Sequence, residues 1–151
     1  MKLKFNNFDD LLDHLEQITL DSHRTLRRWT AAQNFFHLAA AFEGSIKGLP
    51  AGYPRLVRAL ARPVRWVITR YRFPPWIPIP AAIRHALEPP KTADFQTEKA
   101  RLLKAIKEFR DYKNPHPPHP VLGTLSHDEW TGFHLRHCER HLSFIAIGQG
   151  A

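Results

Sequence analysis

Apolar positions return every three or four residues in five separate stretches and nowhere alternate over a run long enough for a strand, so the pattern predicts helices. The first predicted helix covers about residues 8–22, with Leu11, Leu12, Leu15, Ile18 and Thr19 facing inward and Asn6 or Asn7 as its cap. The second opens at Thr30, a capping residue, and stops at Lys47-Gly-Leu-Pro50, where a glycine followed shortly by a proline ends helices. A third stretch, residues 54–72, sets Arg55, Arg58, Arg62 and Arg65 on one stripe and Leu56, Val57, Leu60, Val64 and Val67 on the other, with a kink or restart at Pro63. Residues 73–90 are too dense in proline for a continuous helix and predict an extended connection crossing a helical bundle. A fourth helix is expected over about residues 94–112, burying Phe95, Leu102, Leu103, Ile106 and Phe109, until Asn114-Pro-His-Pro-Pro-His-Pro120 breaks it. The last starts at Ser126, which forms a capping box with Glu129, and continues to about residue 145.

The fold class is therefore all-α. A length of 151 residues with 43% hydrophobic and 11% aromatic side chains suits one domain, residues 1–151, and argues against disorder. The single Cys138 excludes an internal disulfide framework and makes a reduced, cytoplasmic setting the simpler expectation. Asn6, Asn7, Asp9 and Asp10 stand where a signal peptide needs its apolar run, and no window of about eighteen uncharged apolar residues exists for a membrane span. The net charge of +8 comes mostly from arginines in the first half of the chain. The arginine-rich stretch, with Trp66, Tyr71, Phe73 and Trp76 close by, has two readings. One is contact with an anionic membrane surface or with nucleic-acid phosphates. The favoured one is an ordinary helix that buries its apolar side and solvates its arginines, and since no nucleic-acid-binding motif accompanies the charge, no nucleic-acid partner is expected.

Candidate chemistry concentrates in histidines. His134, His137 and His141 follow one another at steps of three and four and share one helical stripe. His137 and His141 have the i, i+4 step of helical zinc sites, which requires a further ligand from elsewhere in the fold. His37, in the second helix, shares a face with Thr30, Gln33, Asn34, Ala40, Ala41 and Gly44, opposite the apolar set Phe35, Leu38, Ala39, Phe42 and Ile46. Spacing alone leaves His37 either a core or solvated histidine or a third ligand. Gln33 and Asn34 are placed to orient water or substrate beside it, and Trp130 is either a pocket wall or a core side chain. Glu43 falls off the His37 stripe and reads as a surface acid, while Cys138, rotated by about 100° from His137, reads as a packed thiol.

The stretch Trp29-Thr-Ala-Ala-Gln-Asn-Phe-Phe-His37-Leu-Ala, closing on Lys47-Gly-Leu-Pro50, resembles the second-helix signature of DinB-like proteins, in a branch classed as a domain of unknown function. The stretch His119-Pro-Val-Leu-Gly123-Thr-Leu-Ser-His-Asp-Glu-Trp130, followed by His134-Leu-Arg-His137 and His141-Leu, is similar to the second signature of that branch. The two lie near opposite ends of the chain in the expected order. The resemblance implies a four-helix bundle in up-down-down-up order, here with an additional amphipathic segment and a long proline-rich connection. It also implies a divalent metal held by His37, His137 and His141. His134 matches a histidine of the branch outside the usual three, with a second-shell, substrate-facing or structural role, and Arg140 stands where a further histidine is expected. His119 lies in a matching His-Pro dipeptide that turn formation explains about as well. Three imidazoles leave a metal open for substrate; zinc or nickel are the expected ions, with iron a third choice. DinB-like relatives include thiol S-transferases and a thiol-dependent isomerase, so the resemblance implies a metal-dependent transferase acting on a small molecule such as a low-molecular-weight thiol, with hydrolysis as another candidate. The alternative is a non-catalytic bundle that binds a partner or an anionic surface through its arginines. Helix faces, or an exposed loop at residues 76–80, make a homodimer plausible.

Overall fold

Asn7 sits in extended backbone and its side chain accepts the Asp10 amide, which starts α1 (Phe8–Gln17). The structure, a computed structural model, describes residues 2–50, 53–71 and 81–148. Helix α1 stops earlier than its apolar pattern, which runs on to residue 22, because Ile18 leaves the helix and Ser22 supplies a local alternative. The Ser22 hydroxyl accepts the Thr19 amide at 3.1 Å and donates to the Gln17 carbonyl, the competition that short hydroxyl side chains offer a helix. Ile18 is nonetheless fully buried, so its place in the apolar pattern reflects burial and not helix.

A strand, β1 (His23–Thr25), follows, then α2 (Ala31–Lys47). Thr30 and Gln33 close a reciprocal capping box at the start of α2, and Gly48, at φ +87°, ends it in a conformation that favours glycine. The arginine-rich stretch forms α3 (Arg55–Leu60) and α4 (Arg62–Arg70). The restart falls at Ala61, with Pro63 inside the first turn of α4, where its missing N–H leaves no intrahelical bond unmade. Helix α5 (Ala81–Leu87) corrects the expectation of an extended connection through residue 90; the rest of that expectation, residues 73–80, and the loop at residues 76–80 lie outside the described residues. Asp94 caps α6 (Phe95–Asp111), and Ser126 with Glu129 caps α7 (His127–Leu142). The chain leaves the helix after Leu142 and forms β2 (Ile145–Ile147), which corrects both the predicted end of the last helix and the absence of strands.

Strands β1 and β2 pair antiparallel, His23 opposite Ile147 and Thr25 opposite Ile145. The Leu26 amide donates to the Phe144 carbonyl at 2.7 Å and the Gly148 amide to the Ser22 carbonyl at 3.1 Å, extending the ladder at both ends. Each strand has only three residues, too few to show an alternation. Helix α2 is the centre of the molecule, packed on α6 along one side and on α7 along another, with Phe35, Leu38 and Phe42 excluded from solvent. Phe8 of α1 meets Phe42 and Phe109 at this core. A largely buried Arg136–Glu139 pair fastens the N-terminal segment: Glu139 accepts the Phe5 amide at 2.6 Å, and the Arg136 guanidinium donates to the Phe5 carbonyl. The described helices include none long and apolar enough to cross a membrane.

Helices α3 and α4 overturn the expectation that their apolar side is buried. Leu56, Val57, Leu60, Val64 and Val67 are exposed, and Ile68 is the buried side chain. Arg58 and Arg65 turn toward the protein instead: the Arg65 guanidinium donates to the Thr124 carbonyl at 2.9 Å and lies 3.4 Å from Glu129, and the Arg58 stem passes over Gly123. The backbone of α4 rides close on α7 at Gly132, where a Cβ would stand 2.2 Å from the Thr69 carbonyl oxygen.

Candidate metal centre

His37 lies nearly two turns into α2, and His137 and His141 lie one turn apart near the end of α7. Helix packing brings the three imidazoles together: one nitrogen from each lies within 4.8 Å of the others, the only such cluster of three or more potential metal-ligating side chains among the described residues. The Nε2 atoms of His37 and His137 are 3.1 Å apart. Imidazole nitrogens that share one ion at about 2.0–2.1 Å lie about 3.0–3.4 Å apart, so this pair already has the required spacing.

Two of the rings are fixed by partners at the nitrogen facing away from the cluster. His37 Nδ1 lies 2.9 Å from the Leu87 carbonyl oxygen, which can only accept, so Nδ1 carries the proton and Nε2 presents its lone pair to the cluster. Leu87 is the last residue of α5, where helix carbonyls lack intrahelical donors. His141 Nδ1 lies 3.1 Å from Asn34 Oδ1. The Asn34 amide nitrogen donates to the Thr30 carbonyl at 2.9 Å, which fixes which end of the amide faces His141. His141 is thus a donor at Nδ1 and open at Nε2. Burial is the main cause that lowers the pKa of all three histidines, strongly for His137 and His141, and the mutual repulsion of charged rings lowers the latter two further. At neutral pH the site therefore presents neutral imidazoles, the form that binds metal.

Trp29 walls the site, with its ring 5.1 Å from His37 and stacked on His141 at 5.9 Å; Phe133 meets His137 and Phe144 meets His141 on other sides. The sequence singled out Trp130, which lies instead beside His119, Phe133 and His134. Neither Trp29 nor the Leu87 carbonyl was singled out as part of the site. Trp29 had a signal, its position next to the cap of the helix that carries His37.

The remaining candidates are placed as follows. His134 is wholly buried between the rings of Phe42 and Trp130, with Nε2 donating to the Ser45 hydroxyl at 3.0 Å. Ser45 in turn donates to the Phe42 carbonyl. Gln33 is occupied by its capping box and donates to the Pro90 carbonyl at 3.4 Å. His119 accepts the Val121 and Leu122 amides at its Nδ1 and pairs through its backbone with Gly123, so it organises a turn; burial pushes its pKa down to about 3. Glu43 forms a two-point bond with Arg101 at 2.7 and 2.9 Å, which joins α2 to α6 and holds the carboxyl pKa low. Arg140 contributes positive charge beside His141. Cys138 is buried and its thiol is pushed far up in pKa by that burial, as a packed side chain requires.

No curated protein and no solved structure matches the chain. Residues 1–147 match the family described as protein of unknown function DUF1569, and the chain, matched over nearly its whole length, belongs to that family.

Proposed function

We propose that the chain is a divalent-metal-binding protein whose ligands are His37, His137 and His141, built on a DinB-like four-helix bundle of α1, α2, α6 and α7 in up-down-down-up order. The observation that carries this reading is the commitment of the outer nitrogens: His37 Nδ1 to the Leu87 carbonyl and His141 Nδ1 to Asn34. Histidine ligands characteristically donate their second nitrogen in this way, and the bond aims the other lone pair at the ion. A buried pair of Nε2 atoms at 3.1 Å, with His37 unable to donate from its own, fits a shared cation. Zinc or nickel are the preferred ions and iron the next, since the donor set is all imidazole.

An ion held by three neutral imidazoles keeps open positions and lowers the pKa of a water or thiol placed there. The reading extends to a metal-dependent thiol S-transferase or a hydrolase acting on a small molecule. Trp29 and Phe133 would exclude bulk water, and Asn34 would hold the His141 ring in its ligating orientation. The test is elemental mass spectrometry on untagged protein beside the His37→Ala and His141→Ala variants. About one metal per chain, lost in both variants, is expected, and the loaded protein is then assayed with low-molecular-weight thiols and electrophiles. Absence of metal after reconstitution with zinc, nickel and iron would overturn the proposal.

A further inference from the structure

Residues 44–87 hold eight lysines and arginines and no aspartate or glutamate, while the rest of the chain carries fourteen charges of each sign. The whole net charge of +8 therefore belongs to this one segment. Of its described helices, α3 presents Leu56 and Leu60 outward, each 74% exposed, and α4 presents Trp66, 51% exposed, one turn from Arg62 and Arg70. Isolated exposed leucines are ordinary, but several large apolar side chains exposed on two consecutive helices mark a contact surface. Arg55, Arg62 and Arg70 stand exposed on the same helices, and the Arg70 guanidinium lies over the Trp66 ring at 5.3 Å.

What covers this surface has to accept leucine and to neutralise arginine. A second copy of the chain would bring the same excess of cations to the contact. Duplex phosphates would reward the arginines and leave Leu56 and Leu60 in water. An anionic bilayer supplies both partners, an apolar interior behind a layer of negative headgroups, and helices whose outward side mixes Leu and Trp with arginine lie flat in that boundary. We propose that α3 and α4 form a docking surface for anionic lipid, with Leu56, Leu60 and Trp66 entering the headgroup–acyl boundary and Arg55, Arg62 and Arg70 meeting the headgroups. This surface is independent of the histidine centre, so either inference stands without the other.

The experiment is flotation of the full chain with phosphatidylcholine vesicles containing 30% phosphatidylserine and with phosphatidylcholine alone, at low and at physiological salt. Binding to the anionic vesicles only is expected, weakening with salt by about fivefold for each arginine contact that is screened. Leu56→Ser with Leu60→Ser, at positions with little packing to lose, should weaken it about tenfold or more with the melting temperature nearly unchanged. Trp66 emission should be quenched by brominated lipid, and that quenching should be absent in Trp66→Phe. No anionic-vesicle binding at low salt overturns the proposal. So does vesicle binding indifferent to the leucine changes and matched by duplex DNA of equal charge, which would make the segment a simple polycation. A dimer that the leucine changes dissociate, without vesicle binding, would assign the face to a second copy and overturns it as well.

Discussion

A histidine's second nitrogen decides what the first can do, and in this protein the second nitrogens of His37 and His141 belong to Leu87 and Asn34. Asn34 is wholly buried and makes its bond to His141 only because its amide is held by the Thr30 carbonyl. Asn34→Ala would free the His141 ring to rotate while leaving all three imidazoles in place, and zinc affinity should fall about 10- to 100-fold. Competition against a chromophoric chelator measures this; an unchanged affinity would show that Asn34 does not orient the ring. The nearness of His137 to His141 was legible because helical spacing is local. The approach of His37 is a tertiary fact, across 100 residues of chain, and only the family resemblance suggested it. The Leu87 carbonyl was illegible in principle, since a backbone acceptor has no signature in residue type.

Among the elements, the start of α7 could be read from its capping box, a contract between side chains three positions apart, and that of α2 from its capping threonine, whereas the return bond from Gln33 went unread. The end of α1, the helix α5 and the paired strands could not, because each depends on partners distant in the chain or on a local turn that competes with the helix. The inverted face of α3 and α4 shows a further limit: amphipathic spacing separates two sides but does not say which is turned inward. Helix α4 is held by Ile68 and by Arg65 on Thr124 and Glu129, not by a wide apolar seam, and the missing side chain of Gly132 is what lets its backbone come this close to α7. Gly132→Ala should therefore force α4 away from α7 and destabilise the protein by about 1–3 kcal/mol, an overpacking cost. Urea denaturation would read the loss, and a value within error of zero would mean that α4 is not seated there.

At the scale of the whole molecule, folding removes histidines from water. His119 is the clearest case, with a folded pKa of about 3 against an ordinary 6.5, and burial lowers His14 as well. The unfolded chain binds protons in this window that the folded chain refuses, so stability is full above about pH 6.5 and falls as pH drops toward 3. Each such histidine contributes about 1.4 kcal/mol per pH unit within its window. Metal-stripped protein should thus melt at a markedly lower temperature at pH 5 than at pH 7.5. His119→Asn, which keeps an acceptor for the Val121 and Leu122 amides, should flatten that slope; an unaltered slope would place the proton uptake elsewhere. The β1–β2 pairing has a consequence for synthesis. His23–Thr25 emerges from the ribosome more than a hundred residues before Ile145–Ile147, so its strand edge waits unpaired while the helices between them are made. The strap that joins the start of α2 to the end of α7 thus closes only after both helices have been made, and the three imidazoles meet only once α7 has followed α2 off the ribosome.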